Sequence, residues 1–367
     1  MRKSIYLLAA LALTSAMLVG CGGNGGNNAN NSGDREVALI TDTGNIDDGS
    51  FNEGTWNGIV QYCEKNNITH GYYMPTAESS AAHKDAIDNA ISRGAKVIIT
   101  PGFSFAQTIN ELQNNPSYDN IQFLLIDTVT QDAEGNDTEI KKNVHCLSYM
   151  EEQAGYLAGY AAVKDGLTKL GFLGGQSIPP VARYGYGFVQ GANDAAVEMK
   201  VENKVSVNYW YGGTFGPSDD VYNKMDGWYS NGTEVVFACG GKIYQSATKA
   251  AEASGKKVIG VDTDQVKDSP TIMTSALKGI ANSVAQSLEK LYANGCVWPD
   301  DLAGQSAVLG AADDCVGLPT AEESWRFDKF TVEEYNTLFE KVKSGEITVS
   351  NDVSKEPTTQ ITVNYEK

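Results

Sequence analysis

The chain has 367 residues, of which 41% are hydrophobic, and carries 28 basic against 46 acidic side chains for a formal charge of −18. So acidic a chain lacks the phosphate-neutralising surface that general nucleic-acid binding needs. Its length exceeds one comfortable hydrophobic core and predicts two lobes.

The first residues run in the order of a secretory signal: Arg2 and Lys3, a mostly apolar stretch from Ser4 to Val19, then the small residue Gly20. Cys21 directly after it resembles the processing site of bacterial lipoproteins, in which the chain is cut before the cysteine and the thiol carries a diacylglycerol. Residues 1–20 are therefore expected to be a signal peptide, with Cys21 anchoring the chain to the extracytoplasmic face of the cell membrane. Residues 21–34 read as the lipidated cysteine and a flexible tether, because Gly22 to Gly33 is Gly, Asn and Ser with one Ala and no charge. Loss of Arg2 and Lys3 leaves 26 basic against 46 acidic side chains, a balance of −20. No second apolar run is long enough to span a membrane.

The body alternates short apolar strands with helical patterns. Strands are expected at Val37 to Thr41, Thr69 to Tyr73, Lys96 to Thr100, Gln122 to Ile126 and Val144 to Leu147, with helices at Asn52 to Lys65, Ala81 to Arg93 and Phe105 to Asn114. The alternation then restarts. Helices are expected at Glu151 to Lys164, Ala182 to Met199, Ser218 to Tyr229, Tyr244 to Ala253 and Lys278 to Ala293. Strands are expected at Lys169 to Leu173, Lys204 to Trp210, Glu234 to Ala238, Lys257 to Val261 and Thr271 to Thr274. After Ala293 the pattern weakens to a strand at Gln305 to Leu309 and a helix at Val332 to Lys343. Continuous apolar strands between helices predict an α/β fold of parallel sheets covered on both faces, and two rounds predict two doubly wound lobes. The expected division is 35–145 plus about 277–310 for the first lobe and 146–276 plus about 311–367 for the second.

Ligands of open α/β sheets sit beyond the carboxyl ends of the strands. Asp42, Asp127 and Asp262 follow three of the expected strands, and as a set they read as a binding site whose carboxylates accept from the hydroxyls of a neutral polyol, although each alone reads more readily as a turn or capping aspartate. Cys63, Cys146 and Cys239 sit in or beside apolar runs and read as small buried hydrophobes. Cys296 and Cys315 flank a loop-rich segment and are candidates for a disulfide. With no CxxC pair, His/Cys cluster or HExxH pattern, no metal site is expected. The Gly-rich run Gly185 to Gly191 has GxGxxxG spacing with no strand leading into it, so it is not a dinucleotide loop.

Asp47-Asp48-Gly49-Ser50-Phe51-Asn52 carries the sharpest signal. Its "D-x-S-F-N" turn into a helix resembles the opening of the basic-membrane-protein or purine-nucleoside-receptor lipoproteins, the substrate-binding proteins of ABC importers. Four further stretches match that family in order: Glu151 to Tyr160 ("E-x-A-G-Y-L-A-G"), Leu170 to Gly175 ("G-F-x-G-G"), Gly260 to Gln265 ("G-x-D-x-D-Q") and Thr274 to Lys278 ("T-S-x-x-K"). The resemblance covers about residues 37 to 290. It implies the type I periplasmic-binding-protein fold, two Rossmann-like lobes joined by three crossovers with ligand in the cleft. It further implies a nucleoside ligand, a purine one by the family's description, a permease and its ATPase as partners, and no cofactor and no catalysis. Phe51 stands at a strand-to-helix turn, where an aromatic face stacks on a flat base. Asn52 beside it offers a donor and an acceptor to a base edge, or caps the helix. The family positions imply Asp42 and Asp127 as base-side carboxylates, and Asp262 and Lys278 as holders of ribose hydroxyls. Phe215 is implied as the opposite stacking face, with Tyr184, Tyr186 and Phe188 as rivals. Gly240 and Gly241 would let backbone approach the ligand, and Trp210 reads as cleft wall or core. The expected state is a monomer. A sugar or polyol binder of the same fold, a ligand sensor uncoupled from transport, and a secreted nucleoside hydrolase are the competing readings.

Overall fold

The computed structural model describes residues 35–42 and 44–366; the expected signal peptide, Cys21 and the tether lie outside the described residues. Val37–Ile40 (β1), His70–Tyr73 (β2), Val97–Pro101 (β3), Gln122–Ile126 (β4) and Val144–Tyr149 (β5) are joined by the helices Phe51–Asn66 (α1), Ser80–Ser92 (α2) and Ala106–Gln113 (α3). These strands, with Gln305–Leu309 (β11) at one edge, form a six-stranded sheet in the order β11-β5-β4-β3-β1-β2, parallel throughout.

The second sheet is built the same way. Its strands are Lys169–Gly174 (β6), Ser206–Tyr211 (β7), Val235–Cys239 (β8), Lys257–Asp262 (β9) and Ile272–Lys278 (β10), with the short Val316–Gly317 (β12) and Thr362–Tyr365 (β13) at its edges. The order is β12-β10-β9-β8-β6-β7-β13, parallel except for the antiparallel pairing of β12 with β10. The helices are Glu151–Lys164 (α4), Pro179–Met199 (α5), Asp219–Ser230 (α6), Tyr244–Ser254 (α7), Ile280–Ala293 (α8) and Val332–Lys343 (α9).

The two-residue period of a strand explains why each sheet is covered twice. Val37 and Leu39 of β1 join Ile59, Cys63, Ile280 and Leu288 of α1 and α8 on one face, while Ala38 and Ile40 join Ile87, Ile109 and Leu112 of α2 and α3 on the other. In the second sheet Phe172 and Phe237 face α4 and α5, whereas Leu173, Val236 and Ala238 face α6 and α7.

The chain passes between the sheets after Tyr149, after Lys278 and after Leu309. The lobe limit expected at 145 and 146 therefore falls inside β5, which stays in the first sheet because it pairs with β4 and β11. The strand expected to end at Thr274 runs on to Lys278, held by its pairing with β9, so α8 starts at Ile280 and not at Lys278. The weakly patterned C-terminal region supplies β11 and two edge strands. The five described cysteines, Cys296 and Cys315 included, are free thiols, so the disulfide considered for those two is not formed. Cys296 lies in the turn after α8, and Cys315 lies against Gly279 at the second crossover.

Candidate functional site

All eight cleft residues expected from sequence border one cavity of about 570 Å³ between the sheets: Asp42, Phe51, Asn52 and Asp127 from the first, and Phe215, Gly240, Asp262 and Lys278 from the second and its crossover. Asp127 directly follows β4 and Asp262 ends β9. Both adopt left-handed backbone (φ 66° and 63°), a conformation aspartate tolerates better than most residues.

The turn before α1 is organised by Asp48. Its carboxylate accepts the backbone N–H groups of Ser50 (2.9 Å), Asn52 (3.0 Å) and Glu53 (3.0 Å), capping the helix. Ser50, formally at the N-cap, is thereby free to donate its hydroxyl across the cleft to Asp262 Oδ2 at 2.6 Å. Asn52 is more committed than expected. Its amide donates to Asp42 Oδ1 (2.7 Å) and Asp48 Oδ2 (2.9 Å), and its Oδ1 accepts from the Asp42 N–H (3.3 Å). Both amide hydrogens are in use, so Asn52 orients Asp42 here and neither caps the helix nor has a donor left over for a base edge.

Two aromatic faces enter from opposite sheets, Phe51 at the start of α1 and Phe215 from the loop after β7. A side chain at Gly240 would meet the Phe215 ring at 2.8 Å, and one at Gly175 would meet it at 2.5 Å. These glycines make room for Phe215, a different reason for Gly240 than close approach to a ligand. Of the rivals, Tyr184 borders the cavity and donates to Asp262 Oδ1 (3.1 Å), Tyr186 does not border it, and Phe188 is buried in the core. Trp210 packs on the core beneath α6.

Lys278 is the electrostatic centre. Its Nζ donates to Asp127 Oδ2 (2.6 Å), lies 3.0 Å from Glu151 Oε1 and 3.9 Å from Asp262 Oδ1, and sits 5.2–5.6 Å from the ring centres of Phe51, Tyr149 and Tyr184. Burial disfavours the ammonium, but the three carboxylates outweigh it and hold Lys278 above its ordinary range. Burial pushes Asp127 up to about 7, against the opposing pull of Lys278. Burial likewise raises Asp42 to about 6, opposed by the Gly44 N–H and Asn52, and it raises Asp262. Asp127 Oδ1 is buried without a hydrogen-bond partner. Asp48 and Glu151 stand within the family-like motifs, yet sequence alone assigns neither of them, nor Arg183, a role in the cleft. Glu151 stands at the start of the stretch that carries the family match in α4, and only the crossover brings it to Lys278.

Over residues 35–352 the chain matches the family Bmp, described as ABC transporter substrate-binding protein PnrA-like. The chain belongs to this family. It is 29% identical over 315 residues to the "ABC transporter nucleoside-binding protein BmpA" of Lactococcus lactis subsp. cremoris, covering 79% of this chain and 85% of the relative. It is 26% identical over 298 residues to "Basic membrane protein B" of Borreliella burgdorferi, covering 78% of this chain and 82% of the relative. Among solved structures, an ABC transporter solute-binding protein from Aeropyrum pernix K1 superposes with a TM-score of 0.71 at 21% identity, covering 87% of this chain and 94% of that one. A sugar-binding ABC transporter protein from Bacillus halodurans superposes at 0.56 and 16% identity over 83% of this chain and 99% of that one. The fold is that of the type I periplasmic binding proteins, as the sequence resemblance implied, and family members are substrate-binding proteins of ABC transporters. Among the described residues no helix is long and apolar enough to cross a membrane.

Proposed function

We propose that this substrate-binding protein captures a nucleoside, a purine one first of all, in the cavity between its sheets, and that it does no chemistry on it. The observation that carries this reading is the convergence of Phe51 and Phe215 from opposite sheets on a cavity also bordered by Asp127, whose buried Oδ1 has no hydrogen-bond partner. Two aromatic faces suit a flat base, and Asp42 and Asp127 suit its N–H groups. Asp262 suits two ribose hydroxyls, while Lys278 fixes the carboxylates around it. The cavity has the size of ordinary small-molecule sites.

Capture proceeds by closure of two lobes about the three crossovers, near residues 149, 278 and 309. Ligand contacts to both lobes offset the cost of closing. The closed monomer, held at the extracytoplasmic membrane face by lipid on Cys21, then presents its ligand to a permease driven by a separate ATPase. A thermal-shift series on the purified full chain tests this, because a ligand that binds only the native state raises the melting temperature. Inosine, guanosine or adenosine should stabilise strongly, and free base or ribose weakly. Stabilisation by sugars with none by nucleosides sinks the nucleoside reading.

A further inference from the structure

The ion pairs beneath the cavity continue past Lys278. Lys278 ends β10 and Glu151 opens α4, so both stand where the chain passes between the sheets. Glu151 is fully buried, and its carboxylate is shared between two cations: Oε2 accepts from Arg183 Nε at 2.6 Å, while Oε1 lies 3.0 Å from Lys278 Nζ as an ion-pair contact that makes no hydrogen bond. Arg183, Glu151, Lys278 and Asp127 thus form one row, from α5 on the second sheet to the end of β4 in the first. The row has a definite end. Asp127 gives Oδ2 to Lys278 and keeps Oδ1 free of any partner.

A buried ion pair is a weak source of stability, since apolar replacements are often as good. Four charged groups in a row, with Glu151 and Lys278 at two of the crossovers, therefore call for another reason. Without Glu151, the Lys278 ammonium would be balanced by Asp127 and Asp262 alone, and would be free to settle between both Asp127 oxygens.

We propose that Glu151, oriented by Arg183, is a positioning residue: it holds the Lys278 ammonium at Asp127 Oδ2, so that Asp127 Oδ1 remains available to a ligand N–H. The proposal rests on the nucleoside reading above. The groups facing Lys278 are Asp127 at the end of β4, Glu151 on α4, Asp262 on β9, Tyr149 on β5, Tyr184 on α5, Cys239 on β8 and Phe51 on α1, with Arg183, Glu152 and Asp48 just beyond. Glu151 is among the charges that favour the protonated form of Asp127. Removing its charge leaves Lys278 to Asp127 and eases ionisation of that carboxyl. Removing the Arg183 charge acts the other way.

The test is inosine affinity between pH 5 and 8.5 for the native chain, Glu151→Gln and Arg183→Gln. Affinity should rise with pH as Asp127 ionises. The midpoint of the rise should fall by on the order of one pH unit in Glu151→Gln and should rise in Arg183→Gln. Equal weakening at every pH with unmoved midpoints in both variants overturns the proposal. If Glu151→Gln does not fold, Arg183→Gln decides alone, an upward midpoint supporting the proposal and an unmoved one overturning it. If the native chain does not bind inosine, the nucleoside reading has failed, and denaturant unfolding without ligand decides the rest. The upper end of the stability loss between about pH 4 and 7 should then move to lower pH in Glu151→Gln, and an unchanged profile overturns the positioning role.

Discussion

At the scale of single residues, the cleft turns on carboxylates held near neutrality by burial. Asp42 near 6 and Asp127 near 7 are partly protonated at mildly acid pH. A ligand that donates N–H groups binds their ionised forms, so nucleoside affinity should increase from pH 5.5 to 7.5 and level off above, as calorimetric titration at successive pH values would show. Flat affinity over that range would remove these carboxylates from the contact set. Phe51→Ala should weaken nucleoside binding by about 1–3 kcal/mol, the usual worth of one aromatic face on a base. Its effect on free ribose should be small, and a comparison of the two dissociation constants isolates the stack. Asn52→Ala should act through Asp42, whose carboxylate loses the amide that orients it.

At the scale of elements, the tightest joint is that between α4 and α5. A side chain at Gly155 or Gly159 would meet the carbonyl oxygens of Tyr184 or Phe188 at 2.0 and 2.1 Å, and one at Gly187 or Gly191 would meet those of Glu152 or Tyr156 at 2.0 and 1.9 Å. The glycines of the "A-G-Y-L-A-G" stretch and of the GxGxxxG run are thus two halves of one helix contact. It carries Glu151, Arg183 and Tyr184 to the cleft. Gly159→Ala forces backbone atoms apart and should cost about 1–3 kcal/mol, read as a lower urea midpoint with unchanged m-value. A neutral result would show that the helices slide without strain.

At the scale of the whole molecule, the two sheets are also joined by contacts outside the crossovers. Gly49 O accepts from Thr263 Oγ1 (2.6 Å) and Gln265 Nε2 (2.8 Å), and Lys242 pairs with Asp47 at 3.0 Å. These contacts tie the turn before α1 to the second sheet beside the cavity. Gln265→Ala should therefore speed ligand release several-fold with little change in association, a split that stopped-flow measurement resolves. Protonation acts on the molecule in the opposite sense to its action on binding. Asp42, Asp127 and Glu152 have folded values of about 6, 7 and 7, above those of an unfolded chain. The folded state therefore retains protons that the unfolded state has shed, and the ligand-free protein should lose stability as pH rises from about 4 to 7.

Sequence by itself determined the architecture here because apolar periodicity is a local property. Strands such as Gln122–Ile126 and helices such as Glu151–Lys164 fall at the expected residues, and the strand-end aspartates follow from where those strands stop. Local pattern is silent at the sheet edges: Val316–Gly317 and Thr362–Tyr365 become strands only because β10 and β7 offer unpaired partners. The partners of each side chain were likewise decided in three dimensions. Asn52 turned to Asp42 and Asp48, Gly240 to Phe215, and Lys278 to Glu151, which lies 127 positions earlier in the chain. A residue's type announces what it is able to bond. Which group satisfies it depends on the crossovers that bring distant segments within reach, and no short window of sequence contains that distance.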